Sequence, residues 1–503
     1  MRSSLAEKAT IGVIVLALGQ AASLAIQFAS SVFLARRLSP MEFGTFAILM
    51  FVVSLAHVLG EFGQGTVLVQ RQAALREDEW RTSFTLQLIG AAGLSLLLLV
   101  LAPSLARAFN LGRDFVGALA WGVPMVMLAP VERLSNAALE RRMAYGAISA
   151  ISVVGGMLYA GVAVSLAWKG FGFWSLVGGM FTASIGRTLL SASLARWPIG
   201  VGIERESLAA LWRGGRLCQR TDLFGFLREH TPPLIAGPIF GPTAVGYLVW
   251  ARNLTYVSYH IFASALMRVG FSLVARLSES EERRLLSIGR VLEGMTFALM
   301  SLMTLLLMLL LGLAHPVIAV IYTEKWMPAL PALYLFGIRM TGGALLGLFA
   351  FFANGMGLFS LASRSVVLWA ALEVGVALVL TPLLGFYSIA AASAFAVWIP
   401  TFWLAQRLQA LLSARAEPVR FWEAVGKPVL VGGIVGGVLH GVSPHVSDLV
   451  ELLMAAALGT AVYALALGWW SDILRQLVWN LWTRWWSSAK AFPPMTPRNS
   501  SMR

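Results

Sequence analysis

Leu34-Ala35-Arg36-Arg37-Leu38-Ser39-Pro40-Met41-Glu42-Phe43-Gly44 separates two long apolar runs with two arginines, a proline and a glycine. Proline lacks the amide proton that a helix interior needs, yet it suits a first turn. The stretch therefore predicts one helix ending and another beginning at Pro40. An echo follows about 200 residues later in Ile239-Phe240-Gly241-Pro242-Thr243-Ala244-Val245-Gly246-Tyr247. With Pro40 laid on Pro242, Gly44 falls on Gly246 and a small residue precedes each proline. On two halves of similar hydropathy, this correspondence points to an internal repeat.

Working outward, the chain has 503 residues, of which 58% are hydrophobic and 12% charged. Its mean hydropathy is +0.76. Soluble domains carry about a quarter charged residues, so the composition describes a polytopic membrane protein. Runs of about 20 apolar residues span hydrocarbon, and about fourteen are found. They lie near residues 11–35, 44–69, 83–107, 115–139, 145–168, 171–195, 216–240, 244–270, 287–314, 328–353, 364–382, 386–411, 424–441 and 448–471. The expected fold is all-α: two six-helix lobes in pseudo-symmetric repeat, residues 1–200 and 201–415, followed by two extra helices within 416–474. Several tryptophans with Arg475 and Arg484 mark 475–503 as an interfacial cytoplasmic tail. The short, mildly basic Met1–Lys8 leads into a run too long for the core of a signal peptide, so an uncleaved first helix is expected.

Charge sets the orientation. The loops after even-numbered spans hold Arg71, Arg76 and Arg81; Arg141 and Arg142; Arg196, Arg205 and Arg213; and further arginines up to Arg420 and Lys427. The alternate loops hold only Arg36, Arg37, Arg107, Arg113, Lys169 and Lys325. By the positive-inside rule both termini are expected in the cytoplasm. The net charge of +14 is scattered between apolar runs, with no basic tail or aromatic-lined basic face, so nucleic acid is not the expected partner. The single cysteine, Cys218, excludes an internal disulfide or cysteine-rich metal site.

No phosphate-binding glycine loop, nucleophile elbow or His-Glu-x-x-His motif occurs, and the external loops are too short to carry a catalytic domain. The expectation is a protein that is not an enzyme, with no cofactor and no metal. Ionisable groups inside the membrane are more informative, because each costs about 2.5–3.5 kcal/mol to insert and must face a cavity or a partner. Arg228, Arg252, Arg339 and Glu373 fall nearest the midplane; Arg220, Arg187, Glu61 and Glu293 fall toward the cytoplasmic half. The five arginines are the candidates for a basic cavity that grips an anionic substrate, since guanidinium binds phosphate oxygens in bidentate fashion and keeps its charge. Glu61, Glu293 and Glu373 are the candidates for ion coupling. The alternative is bracing by internal pairs, such as Arg339 with Glu373. Thr231-Pro232-Pro233 and Gly237-Pro238 predict a broken seventh helix, as found where helices line cavities or move.

At these residues the chain resembles the Wzx-type polysaccharide transporters, a branch of the multidrug/oligosaccharidyl-lipid/polysaccharide exporter superfamily. The resemblance rests on Leu34–Gly44 and on Glu61-Phe62-Gly63-Gln64-Gly65 with Val69-Gln70-Arg71. It continues in Glu140-Arg141-Arg142-Met143, in Gly246-Tyr247 with Ala251-Arg252-Asn253-Leu254, and in Glu324-Lys325-Trp326 with Pro328. It implies a two-lobed bundle that opens alternately to either side of a bacterial inner membrane. The implied cargo is an undecaprenyl-diphosphate-linked oligosaccharide for O-antigen, capsule or exopolysaccharide. Implied partners are that lipid-linked glycan, the membrane lipids, a polysaccharide polymerase and a chain-length regulator. A small-molecule or drug antiporter of the same superfamily and a membrane glycan polymerase are the competing readings.

Overall fold

The computed structural model describes residues 26–70, 75–276, 281–413 and 421–470. The expected tail at 475–503 and most of the first predicted span lie outside these residues. Helix α1 occupies 26–37 and α2 (Pro40–Glu61) starts two residues after it. Ser39 and Glu42 close a capping box across this junction: the Ser39 hydroxyl accepts from the Glu42 amide at 3.3 Å, and the Glu42 carboxylate accepts from the Ser39 amide at 2.7 Å. Pro40 sits in the first turn, where no helical donor is missed.

The remaining long helices are α3 (Gln64–Gln70), α4 (Glu77–Ala108), α5 (Arg113–Arg141), α6 (Tyr145–Trp168), α7 (Phe173–Ala195), α8 (Arg205–Glu229), α9 (Gly237–Arg276) and α10 (Glu281–Pro316). They are followed by α11 (Leu330–Gly355), α12 (Phe359–Leu384), α13 (Tyr387–Ala396), α14 (Trp398–Ser413), α15 (Phe421–Val442) and α16 (Leu449–Trp470). Each predicted span after the first coincides with one or two of these helices. Among the described residues, 11 segments are long and apolar enough to cross a membrane. The second predicted span divides into α2 and α3 because Phe62 and Gly63 take left-handed backbone angles, φ 50° and 66°. Near the middle of the chain, Gly241 at φ 78° breaks α9, so that Pro242 opens a new helix much as Pro40 does.

The described chain divides into two compact units, Met1–Val257 with Val317–Leu404, and Ser258–Pro316 with Ala405–Arg503. In the first unit the two echoing motifs lie against each other. A side chain at Gly44 would collide with the Pro242 carbonyl, and one at Gly246 would collide with the Pro40 carbonyl. The contact is reciprocal and made by backbone, so neither glycine has room for a methyl group.

Residues 317–329, a π-turn and a 3₁₀ turn, pack onto this crossing. The Arg36 guanidinium donates to the carbonyls of Val320 (2.5 Å) and Ile321 (2.7 Å), and Lys325 donates to the Arg36 carbonyl at 2.7 Å. Fully buried Trp326 donates to the Ala35 carbonyl at 2.9 Å, stacks on Trp250 at 4.9 Å, and meets Phe43 edge-on at 5.3 Å. The resemblance motifs at 34–44, 246–254 and 324–328 are thereby one packed knot.

In the second unit α10 packs along α15. Gly432 and Gly436 present a small surface to it, since a side chain at either would meet Thr304 or Met308. Tyr463 of α16 donates to the Ser301 carbonyl at 2.8 Å and joins a core of Phe297, Met308, Val431, Val435, Leu439 and Leu467.

Gly44→Ala is expected to destabilise the protein by at least the 1–3 kcal/mol typical of overpacking. Gly93→Ala, at a position with no neighbour within 4 Å, should be neutral or slightly stabilising. Thermal unfolding of the two purified variants in detergent checks this; equal melting temperatures would contradict the crossing.

Candidate functional site

The site grows from the break after α8. Pro232 and Pro233 lack amide protons, so the carbonyls four residues earlier, those of Arg228 and Glu229, lose their helical partners. An unsatisfied buried carbonyl costs about 1–3 kcal/mol, and both are satisfied from elsewhere. The Thr231 hydroxyl donates to the Arg228 carbonyl at 2.9 Å, and the Arg252 guanidinium of α9 donates to the Glu229 carbonyl. The ladder then resumes, with the Leu234 amide donating to the His230 carbonyl at 3.0 Å. The prolines remove two rungs, and one of the vacated carbonyls holds an arginine.

Two further arginines converge on the same residue. Arg228 donates to the Glu229 carboxylate at 2.7 Å, and Arg339 of α11 approaches the same oxygen at 3.7 Å. Both guanidinium groups lie against the ring of Trp369 on α12, at 4.3 Å and 5.2 Å. Such cation–π contacts are worth about 0.5–2 kcal/mol. The Nε atoms of Arg228 and Arg339 and the indole nitrogen of Trp369 are buried without a hydrogen-bond partner among the described residues. The cluster is accessible at one point: the Glu229 side chain is 31% exposed and that of Arg228 is 19% exposed.

Glu373, one turn beyond Trp369, is buried and accepts from the Ser393 hydroxyl of α13 at 2.5 Å; its second oxygen has no partner. Three guanidinium groups thus face two carboxylates, only one of them in direct contact. The unused donors and surplus positive charge leave this desolvated cluster with hydrogen-bonding capacity that an anion could use.

The sequence-derived candidates separate into three groups. Arg228, Arg252 and Arg339 are brought together, with Glu373 close behind. The bracing pair expected between Arg339 and Glu373 is replaced by Arg339 with Glu229, because the turn after α8 carries Glu229 to the α11 side. Arg187 and Glu61 belong elsewhere in the first unit, each with its own partner. Arg187 donates to Glu132 at 3.2 Å, and Arg133 meets Glu61 at 3.1 Å beside a void of about 10 Å³ that His57 also lines. Glu293 is half-buried on α10 in the second unit, and Arg220 lies on α8 with its side chain outside the described set. Trp369 was not among the candidates; a tryptophan far from either end of a membrane helix, one turn from a glutamate, was the available signal.

The described residues thus form a bundle of membrane-length helices that encloses a cluster of buried cation donors. Residues 33–331 match the family described as "Polysaccharide biosynthesis protein", and the chain belongs to that family. The succinoglycan biosynthesis transport protein ExoT of Rhizobium meliloti (strain 1021) is 25% identical over 332 residues, a match covering 64% of each chain and so just under two thirds of that relative. Among solved structures, the lipid II flippase MurJ in an inward closed conformation superposes with a TM-score of 0.75 at 12% identity, over 92% of this chain and 100% of that one. An inward-facing multidrug resistance MATE family transporter of the MOP superfamily gives 0.54 at 15% identity, over 78% and 96%. At such identities the likeness is one of fold.

Glu229→Gln is expected to lower the melting temperature, since it leaves Arg228 and Arg339 without the carboxylate they share. Millimolar sulfate should restore it by occupying the arginines. Glu61→Gln, which disturbs a single closed pair, should show no sulfate rescue beyond that of wild type. Melting curves against sulfate at constant ionic strength distinguish the two.

Proposed function

We propose that the protein is a flippase. It moves undecaprenyl-diphosphate-linked oligosaccharide repeat units from the cytoplasmic to the periplasmic leaflet of a bacterial inner membrane, for surface polysaccharide synthesis. The observation that carries the reading is the convergence of Arg228, Arg252 and Arg339 on Glu229. A diphosphate is the part of such a cargo that resists entering a low-dielectric interior, and a cluster of fixed guanidinium groups offsets that resistance. The name of the relative, a succinoglycan transport protein, and that of the structural neighbour, a lipid II flippase, support the same class of cargo.

In this reading Glu229 stands in for the cargo. With no substrate bound, its carboxylate neutralises Arg228 and Arg339 and keeps the empty cluster from repelling itself apart. An arriving diphosphate takes over those donors and reaches the unpartnered Nε atoms as well. Because the anion interacts differently with each arrangement of the lobes, it shifts their populations, which alternating access requires. The lobes are the two six-helix repeats, residues 1–200 and 201–415. Glu373, with one free oxygen, is the best placed of the three glutamates to take a coupling proton or cation.

Arg252→Ala combined with Arg339→Ala is expected to abolish glycan export while leaving the protein in the membrane. Depleting the wild type should cause a diphosphate-linked glycan to accumulate, protected from an externally added glycosidase and detectable by mass spectrometry. An unchanged lipid-linked pool would favour the small-molecule antiporter. For orientation, a cysteine introduced at exposed Ser447 should react with an impermeant thiol reagent in intact cells. Reaction only after lysis would reverse the topology.

A further inference from the structure

The motif Glu140-Arg141-Arg142-Met143 has no part in the central cluster. The structure places it in a second basic site. The end of α5, the end of α7 and the start of α4 enclose a pocket of about 300 Å³ lined by Trp80, Arg141, Arg142, Arg196, Trp197 and Pro198. These residues come from three loops on the side that the excess of arginines marks as cytoplasmic.

The pocket is built rather than incidental. Trp197 is held by its indole donating to the buried Ser135 hydroxyl at 2.8 Å, and it packs against Trp80 at 5.9 Å. Arg141 donates to the Leu68 carbonyl at 2.7 Å, and Arg142 donates to the Arg196 carbonyl at 2.9 Å. The Arg196 side chain makes no hydrogen bond or ion pair among the described residues. No carboxylate lines the pocket among the described residues. Two non-glycine residues at its edge, Met143 and Arg196, take left-handed backbone angles of φ 54° and 45°. Both residues close helices, where the left-handed conformation is a common way to end.

We propose that this pocket binds the phosphate of an anionic phospholipid. The Arg142 and Arg196 guanidinium groups grip the phosphodiester, and the buried Trp80 and Trp197 line the pocket beside them. The volume is large enough for a phosphate with a small polar headgroup. Met143 and Tyr145, 76% and 59% exposed beside the opening, give the acyl chains an apolar surface to follow. The site is separate from the central cluster, with which it shares no residue, and the inference does not depend on what that cluster carries.

The test is native mass spectrometry of the full-length protein titrated with phosphatidylglycerol and, separately, phosphatidylcholine. Wild type should retain phosphatidylglycerol in preference. Arg142→Ala with Arg196→Ala should weaken that retention about tenfold or more, the loss expected for two charge-assisted contacts. Arg196→Gln, which keeps the carbonyl that Arg142 uses, should fold normally and lose a smaller part of the preference. Equal retention of phosphatidylglycerol and phosphatidylcholine by wild type, with inorganic phosphate bound and lost in the double variant, would overturn the lipid assignment in favour of free phosphate. Equal phosphatidylglycerol retention by wild type and both variants overturns the proposal. A supported flippase reading with unchanged lipid retention, or the reverse, separates the two conclusions.

Discussion

The crossing of Pro40–Gly44 with Pro242–Gly246 is the constraint from which the first unit is built. Two helix starts approach so closely that each glycine faces a backbone carbonyl of the other motif. Dispersion gains depend on such contact, and a single methyl group on either side would force the helices apart. Everything packed above it inherits the geometry. The indole of Trp326 reaches the Ala35 carbonyl, and the guanidinium of Arg36 reaches two carbonyls of the 317–322 turn, only because α1 stops where the crossing requires. Proline, glycine, the Ser39–Glu42 cap and the aromatic cover act together to hold one junction.

The arginines show two ways of keeping charge inside an apolar bundle. Arg187 with Glu132 and Arg133 with Glu61 are closed pairs, one cation to one carboxylate, and such pairs brace helices. Around Glu229 the ratio is different. One carboxylate and one carbonyl of the same residue engage three cations, two of those cations also lie against one tryptophan ring, and donors remain unused. A closed pair has nothing left to offer a ligand, whereas this cluster does.

Much of the fold is readable from the chain. Pro40 and Pro242 mark helix starts because an amide proton is missing and the flanking runs are long enough to cross a membrane. The spans fall where hydropathy puts them. The grouping of Arg228, Arg252 and Arg339 follows from their depth along their helices. Depth, however, says nothing about rotation. Which way Arg339 points depends on the packing angles of α11 and α12, so its partner proved to be Glu229 and not Glu373. Arg187 has a suitable depth but a dedicated partner on α5. Trp369 escapes because aromatic residues are common in membrane helices and only its neighbours distinguish it.

The proline pair after α8 ties the shape of a helix to the position of a charge. Because Pro233 can never donate to the Glu229 carbonyl, that oxygen is permanently open to a side chain, and Arg252 fills it. A residue without an amide proton on one helix therefore decides where a cation on the next helix is anchored.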